Sequence, residues 1–425
     1  MKREDCLYSH YVQILKEELL PAMGCTEPIA IAYGAATARK LLGALPDRLL
    51  IEVSGNIIKN VKSVVVPHTG GLRGIPAAAA AGVAAGRAEA ELEVLSHVTE
   101  EELAAVRHYL ECCPIEVRHV ESPHIFDIRI TAYKDAESAC VRIADYHTNL
   151  VFLRKNDEIL LDKPLEGPAP SALTDRSVMS IAGIVEFAES VDLADIEELL
   201  ERQIAYNMAI AEEGLRGDYG ANIGKTLLKN HEKELGQRLK AYAAAASDAR
   251  MSGCELPVVI NSGSGNQGIT ASVPVIVYAR EKEKSREELL RALTVSNLVT
   301  IHLKTGIGRL SAYCGAVSAG CGAAAGLAWL KGGGFDEISH TVVNAVAVNS
   351  GIICDGAKAS CAAKIASAVE AGLLGLAMYE SGNQFYGGDG IIRKGVENTI
   401  DNIGRLARFG MEQTDKEIIR LMMEN

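Results

Sequence analysis

Four apolar segments rich in alanine and glycine constrain the fold of this chain more than any other feature of its sequence. They cover residues 240–249, 312–330, 342–353 and 357–376. Side chains this small allow helices to pack at short interaxial distances. We therefore predict that the chain is predominantly helical from Ser177 to its end, with these segments at the centre of a dense bundle.

The N-terminal part of the chain has a different texture. Residues 8–42 are typical of two helices separated at residues 20–28. Residues 48–156 contain short runs rich in β-branched side chains, which indicate strands, and two helical stretches interrupt them. The strand-like runs are 49–53, 61–66, 115–119, 125–132 and 140–153, and the helical stretches are 75–90 and 100–111.

These patterns predict an α+β fold, in which a mainly helical core carries an inserted small α/β subdomain with a mainly antiparallel sheet. Residues 1–47 are predicted to be N-terminal helices that belong to the helical core, and residues 48–165 to be the inserted subdomain. Residues 170–425 would form the rest of the core, and the Pro- and Gly-bearing segment 162–171 is the predicted exit linker.

Composition and charge exclude several classes of protein. With 48% hydrophobic and 23% charged residues, the chain of 425 residues is not disordered. Its net charge of -12 argues against a nucleic-acid partner. Residues 1–18 show no secretory signal, and residues 312–330, although uncharged, favour a buried helix over a membrane span. We expect a soluble cytoplasmic protein with no membrane partner and with its ten cysteines reduced.

Three cysteines in two glycine-interrupted segments are candidate metal ligands. Cys314 lies in the segment 304–316, and Cys354 and Cys361 lie in the segment 351–362. On one helix, Cys354 and Cys361 would stand roughly 10 Å apart, but Asp355-Gly356 is a turn signal that allows them to converge. Three thiolates would leave one iron of a cubane cluster open to substrate.

Spacing alone favours a simpler interpretation of these cysteines, namely that they are compact packing residues, since the chain has no CxxC pair. Cys321, two helical turns after Cys314, is a rival ligand that we interpret as a packing residue. Cys25 is a different case, because it is predicted to lie just before a helix N-terminus, and that position stabilises a thiolate.

Two polar loops are candidate substrate-binding sites. The loop 261–269 follows a strand-like run and can direct backbone N–H groups towards an anion such as a substrate carboxylate, with Ser262, Ser264 and Asn266 as its polar side chains. It also resembles the loop of fold-type-II pyridoxal phosphate enzymes, but the early Schiff-base lysine of those enzymes is missing. The segment 66–74 contains His68 and Thr69, of which His68 is a candidate proton relay.

Taken together, the motifs resemble those of the L-cysteine desulfidase family, which is related to the α chain of iron-sulfur L-serine dehydratases. The motifs that carry the resemblance are residues 23–28, 68–71, 262–268, 313–316, 354–358 with Cys361, and 387–395. The resemblance implies that residues 170–425 form a cluster-binding catalytic core. It further implies β-elimination of L-cysteine to pyruvate, ammonia and hydrogen sulfide.

The resemblance also implies residue roles. Cys314, Cys354 and Cys361 would hold a 4Fe-4S cluster with one iron open to substrate, and Cys25 would be the catalytic base. His68, Thr69, Ser262, Ser264 and Asn266 would bind the substrate. Three alternatives stay open at this point: an iron-sulfur L-serine dehydratase, a pyridoxal phosphate lyase, and a non-catalytic thiol-rich metal or redox sensor. A homodimer is a possible assembly.

Overall fold

The computed structural model describes residues 1–165, 173–308 and 311–424. The predicted linker at 162–171 therefore lies partly outside the described residues. The helices are α1 Cys6–Glu18, α2 Thr26–Leu42, α3 Gly55–Val61, α4 Gly74–Ala85, α5 Glu100–Cys112, α6 Ile181–Ser190, α7 Glu197–Arg216, α8 Ile223–Leu228, α9 Leu235–Met251, α10 Gly265–Glu281, α11 Arg286–Ile307, α12 Gly315–Leu330, α13 Phe335–Asn349, α14 Ser360–Glu380, α15 Val396–Arg405 and α16 Glu412–Glu424. The strands are β1 Pro21–Met23, β2 Arg48–Val53, β3 Ile115–His119, β4 Asp127–Lys134, β5 Glu137–Ala144, β6 Leu150–Lys155, β7 Glu158–Asp162 and β8 Pro257–Val259.

The helical core is as densely packed as its small residues predict. A Cβ atom at Gly320 of α12 would lie 2.4 Å from the carbonyl oxygen of Ala368 in α14, and one at Gly372 would lie 2.7 Å from the carbonyl oxygen of Gly320. Helices α12 and α14 can therefore approach this closely only because glycine occupies both positions. Most of α12 is buried, which confirms the prediction of a buried helix within residues 312–330.

Helix α14 is the one described helix that is long and apolar enough to cross a membrane, and half of its apolar window is buried inside the protein. It packs against α9, α12 and α13. An apolar helix in the core of a globular protein has the same composition, so packing in the bundle accounts for its sequence.

The second core is built on a six-stranded sheet with the strand order β3-β2-β4-β5-β6-β7. Only the β2–β3 pair is parallel, and the other neighbours are antiparallel. Helix α2 packs on β4 and β5, where Gly34 faces Ile130 and Ile143. The α+β fold with a mainly antiparallel sheet is therefore confirmed.

Two local predictions differ from the structure. Helix α1 belongs to the helical core, but α2 packs in the second core with the sheet and α4. The chain therefore enters the second core at α2, and not after residue 47. The reason is that α2 is apolar around most of its circumference, so it can pack between the sheet and α4. The predicted strand 61–66 is wrong: α3 ends at Val61, and Val65 forms only an isolated bridge with Arg73 before the turn at Pro67.

The two cores are joined by more than the chain crossings between them. The short strand β1, between α1 and α2, pairs antiparallel with β8 of the helical core. At the C-terminus, α16 returns to α3 of the second core. There Asp415 of α16 accepts a hydrogen bond from the buried ammonium group of Lys59 at 2.5 Å.

Candidate active site

A cavity of about 170 Å³ lies where the two cores meet. Sites for drug-sized ligands have volumes of about 300–1,000 Å³, so this cavity fits a smaller molecule. Its walls come from both cores, with Lys59, Phe126 and His147 on one side and Arg250, Ser262 and Tyr313 on the other. The cavity also contains Cys25, Cys314, Cys354 and Cys361, so all four cysteines that the sequence singled out converge here.

Backbone pairing brings Cys314 and Cys354 together. The N–H of Cys314 donates to the carbonyl oxygen of Ile352 at 3.0 Å, and the N–H of Cys354 donates to that of Ala312 at 2.6 Å. These bonds flank an antiparallel bridge between Tyr313 and Ile353. Two segments about forty residues apart in sequence thus place their cysteines side by side.

Cys361 reaches the same place by the turn that the sequence predicted. Gly356 has a φ of 90°, which favours glycine, and it ends the loop that carries Cys354. Cys361 then lies in the first turn of α14, and its Sγ donates to the carbonyl oxygen of Gly356 at 3.5 Å. Burial, together with the smaller effect of the nearby Cys354 and Cys361 thiols, raises the pKa of Cys314 to about 12.

The loop 354–356 is held on two sides. The Asp355 carboxylate pairs with Lys358 at 2.6 Å and also with Lys364. On the other side, a Cβ atom at Gly356 would lie 1.9 Å from the carbonyl oxygen of Lys59 in α3. The second core therefore packs directly against the loop that carries Cys354.

Cys25 is the N-cap residue of α2, as predicted, and only 2% of it is exposed. Burial of the sulfur opposes formation of the thiolate predicted for this position. Burial raises the pKa of Cys25 to about 11, although the nearby Arg250 guanidinium lowers it. Desolvation of the sulfur outweighs the favourable effects of the helix N-terminus and the cation. Cys361 packs against the same small apolar cluster as Cys25.

The loop after β8 supplies polar groups to the opposite wall. Ser262, with a φ of 50°, turns the chain, and Ser264 is the N-cap of α10, where its side chain accepts a hydrogen bond from the N–H of Gln267. Asn266 lies in the first turn. All three predicted side chains, Ser262, Ser264 and Asn266, line the cavity. The positive end of a seventeen-residue helix therefore faces the same space as the cysteines.

Two predicted substrate-binding residues lie elsewhere. His68 and Thr69 are not among the cavity-lining residues. The Thr69 hydroxyl donates to the carbonyl oxygen of Val66, and His68 lies 3.2 Å from a carboxylate oxygen of Glu255. Their segment touches the site indirectly, since Pro67 packs against Gly24, next to Cys25.

Four charged residues that line the cavity were not predicted as site residues from the sequence: Glu27, Lys59, Asp145 and Arg250. Glu27 belongs to the motif 23–28, and this is the one sequence signal that indicates a role for it. Arg250 ends the Ala-rich stretch of α9, and an arginine at the end of an apolar helix gives little indication of burial. Lys304, the first residue of the segment 304–316, also lines the cavity.

Comparison with known proteins decides the family. A family model described as the serine dehydratase alpha chain matches residues 89–420. A UPF0597 protein of Desulfitobacterium hafniense strain Y51 is 59% identical over 423 residues, which cover 100% of this chain and 98% of the relative. A UPF0597 protein of Treponema denticola is 48% identical over 431 residues and is matched along 100% of both chains. This chain belongs to the serine dehydratase alpha chain family.

Membership in the serine dehydratase alpha chain family confirms the relationship to the iron-sulfur serine dehydratases that the motifs implied. It indicates a lyase. The printed names of the relatives add no activity to this, since they describe proteins of the UPF0597 group only.

The cavity of this serine dehydratase alpha chain homologue offers thiol ligands for a cluster, although the ligands are not yet gathered around one point. Across the three described ranges of the chain, no group of three His, Cys, Asp or Glu side chains is already arranged to hold a metal ion. The donor set nevertheless fits, because thiolates are the ligands that iron-sulfur clusters take. Cys314 and Cys361 stand at helix N-termini and Cys354 in a loop, so none is locked inside a helix.

Proposed function

We propose that this protein catalyses the iron-sulfur-dependent β-elimination of L-cysteine to pyruvate, ammonia and hydrogen sulfide. The observation that carries the proposal is the convergence of Cys314, Cys354 and Cys361 with Cys25 on one small cavity. The first three would hold a 4Fe-4S cluster. When bound, a cluster with one iron free of protein ligands supplies a Lewis acid that makes sulfide a better leaving group.

The protein's own groups perform the remaining chemistry. Cys25, as the thiolate, accepts the α-proton while the C–S bond breaks and its electron pair leaves with sulfur. The resulting aminoacrylate takes up water and gives pyruvate and ammonia. Because burial raises the pKa of Cys25 to about 11, its thiolate is a strong base. Arg250 lowers the cost of forming that thiolate by placing a positive charge nearby.

The cavity wall beside the cysteines supports a thiol substrate over an alcohol. Next to the proposed ligands, Ala316, Ala357 and Ile365 line the cavity. A serine hydroxyl buried against such apolar groups loses hydrogen bonds to water, whereas a thiol is only a weak hydrogen-bond former and loses little. L-Serine dehydration, which the family relationship favours, is the second candidate function.

The test is reconstitution of the protein with iron and sulfide under anaerobic conditions, removal of unbound sulfide, and assay on L-cysteine and L-serine. We expect pyruvate and sulfide in equal amounts from L-cysteine and a higher kcat/KM than for L-serine. Pyruvate from L-serine alone would identify a dehydratase. Activity that survives removal of iron but not borohydride treatment would identify a pyridoxal phosphate lyase, and bound iron without any product would identify a sensor.

A further inference from the structure

The Arg250 guanidinium is a buried cation whose charge is unmatched. Only 7% of the residue is exposed, and it lines the cavity. Within the described residues it forms no ion pair with a carboxylate. An arginine so far removed from water is costly unless an anion completes its environment. An anionic ligand of the cavity would supply that charge.

The contacts of Arg250 hold the guanidinium in position but leave capacity for a ligand. One terminal nitrogen donates to the carbonyl oxygen of Gly24 at 2.9 Å, and the other donates to the side chain of Asn266 at 3.3 Å. Nε is buried and has no hydrogen-bond partner. The acceptors of both terminal nitrogens are uncharged, and each of these nitrogens carries a second N–H that can donate to a planar carboxylate.

Gly265 makes room for this arrangement. A Cβ atom there would lie 2.3 Å from Nε and 2.7 Å from the central carbon of the Arg250 guanidinium. The first residue of α10 therefore has to be glycine if the guanidinium is to lie against the helix N-terminus. The positive end of the helix and the cation then act on the same point in space.

Glu27 has the complementary property. It lines the same cavity in the first turn of α2, two residues after Cys25. Its carboxylate accepts only weak hydrogen bonds, from the Thr26 hydroxyl at 3.3 Å and from the Asn60 amide at 3.5 Å. Among the residues that the structure describes, no Lys, Arg or His forms an ion pair with it. Its negative charge is therefore available to a cationic group of a ligand.

We propose that Arg250 and Glu27 form a clamp for the charged head of an α-amino acid, with Arg250 on the carboxylate and Glu27 on the ammonium group. The clamp rests on the proposed function only for the identity of the β-substituent that is eliminated. The clamp itself would bind the carboxylate and ammonium groups of any small α-amino acid. Cys25 lies near both residues, since its neighbour Gly24 accepts a hydrogen bond from Arg250 and the charges of Arg250 and Glu27 both act on its thiol.

The clamp has a stereochemical consequence. With carboxylate and ammonium fixed, the two remaining substituents of the α-carbon are its hydrogen and its side chain. Cys25 and the three proposed cluster ligands all line the cavity, and Cys361 packs against the side chains around Cys25. With Cys25 taking the α-hydrogen and the cluster taking the β-substituent, only one enantiomer satisfies both contacts. Binding should therefore discriminate between the enantiomers of a non-reactive amino acid.

The test is isothermal titration calorimetry on the reconstituted protein with L-alanine, which has no leaving group. Three comparison ligands each change one feature of L-alanine: L-alaninamide lacks the carboxylate, propionate lacks the ammonium group, and D-alanine has the opposite configuration. We expect Arg250→Gln and Glu27→Gln each to weaken L-alanine binding by about tenfold or more, since each removes a hydrogen-bonded charge pair. The wild type should prefer L-alanine to L-alaninamide, and Arg250→Gln should abolish that preference. Glu27→Gln should in the same way abolish the preference for L-alanine over propionate.

Three further variants separate the clamp from a structural role. Arg250→Lys should restore part of the preference for the carboxylate, because it keeps the charge. Gly265→Ala, which displaces the guanidinium without removing it, should weaken L-alanine binding and leave L-alaninamide binding unchanged. Arg238→Gln is the matched control: Arg238 lies three turns earlier on α9 and pairs with Glu281 at the surface, so its loss should change no binding constant.

Equal weakening of L-alanine and L-alaninamide by Arg250→Gln, or no weakening, would overturn the clamp, as would failure of the wild type to bind L-alanine. Turnover is measured in parallel on the same preparations. A wild type that binds L-alanine through both residues but releases no sulfide from L-cysteine supports the clamp and contradicts the proposed elimination. Sulfide release that is unaffected in both glutamine variants contradicts the clamp and leaves the elimination standing.

Discussion

The N–H of Cys354 donates to the carbonyl oxygen of Ala312 at 2.6 Å. This bond and the bond from the N–H of Cys314 to the carbonyl oxygen of Ile352 place Cys314 and Cys354 on one short stretch of antiparallel backbone. Cys361 joins them through the turn at Gly356. The arrangement predicts different consequences for the replacement of different cysteines.

Replacement of Cys314, Cys354 or Cys361 by alanine is predicted to abolish iron retention after anaerobic reconstitution and gel filtration. Each replacement removes one of three proposed thiolate ligands, and two thiolates hold a cubane poorly. Cys321→Ala is the control, because Cys321 is 2% exposed in α12 and does not line the cavity. It should keep the iron at a cost of about 1 kcal/mol in stability. Loss of iron in the control alone would reassign the ligands.

Cys25→Ala is predicted to retain the iron content and the visible absorption of the reconstituted wild type but to lose at least about a hundredfold in kcat. This is the range expected when a general base is removed. Cys25→Ser keeps the size of the side chain but not the acidity of the thiol, so it should remain equally impaired. A Cys25→Ala protein with wild-type turnover would exclude Cys25 as the base.

Gly356→Ala is predicted to lower both the melting temperature and the iron content. The added Cβ atom would lie 1.9 Å from the carbonyl oxygen of Lys59, and alanine disfavours a φ of 90° by about 1 kcal/mol or more. Gly351→Ala, in the same segment, is the matched control, since its Cβ atom would meet nothing within 4 Å. Equal effects of the two substitutions would mean that the contact with Lys59 does not position the loop.

Asp248 provides a test of pH dependence away from the cavity. It is 1% exposed, and burial raises the pKa of its carboxyl group to about 6, although the N–H of Gly224 donates to it at 3.0 Å. The folded protein therefore favours the protonated form, whose stabilising effect is complete below about pH 4 and is lost as the pH rises through about 6.

Asp248→Asn is accordingly predicted to raise the free energy of unfolding near pH 8 by roughly 2 kcal/mol, and the gain should vanish near pH 4. Denaturant unfolding at several pH values measures it. Asp218→Asn is the control with the opposite sign, because the hydrogen bond and charge of Lys225 lower the pKa of Asp218. A gain for Asp248→Asn that does not change with pH would contradict the assignment.

The sequence predicted those features that depend on local pattern. The alanine- and glycine-rich helices, the mainly antiparallel sheet, the position of Cys25 before α2 and the turn at Asp355-Gly356 all follow from residues close together in the chain. The placement of α2 in the second core could not be predicted in this way, because an alanine-rich helix that is apolar on most faces fits either core.

Pairings over long sequence distances also escaped prediction. Lys59 and Asp415 are 356 residues apart, and nothing local to either residue indicates the other. The position of Arg250 depends on Gly24, which accepts its hydrogen bond, and on Gly265, which leaves room for its guanidinium. The β1–β8 pair and the start of α10 bring these two glycines to it. In the same way, the burial that raises the pKa of Cys25 depends on the whole fold and could not be read from its position before α2.

The central claim is that Cys314, Cys354 and Cys361 hold a cluster with one iron open to substrate beside Cys25. Mössbauer spectroscopy of the iron-enriched Cys25→Ala protein tests it most directly, because this variant should bind L-cysteine without consuming it. We predict that L-cysteine changes the signal of a single iron of the cluster and leaves the others as they were. A spectrum that L-cysteine does not alter, or a cluster that persists when all three ligand cysteines are replaced, would contradict the account.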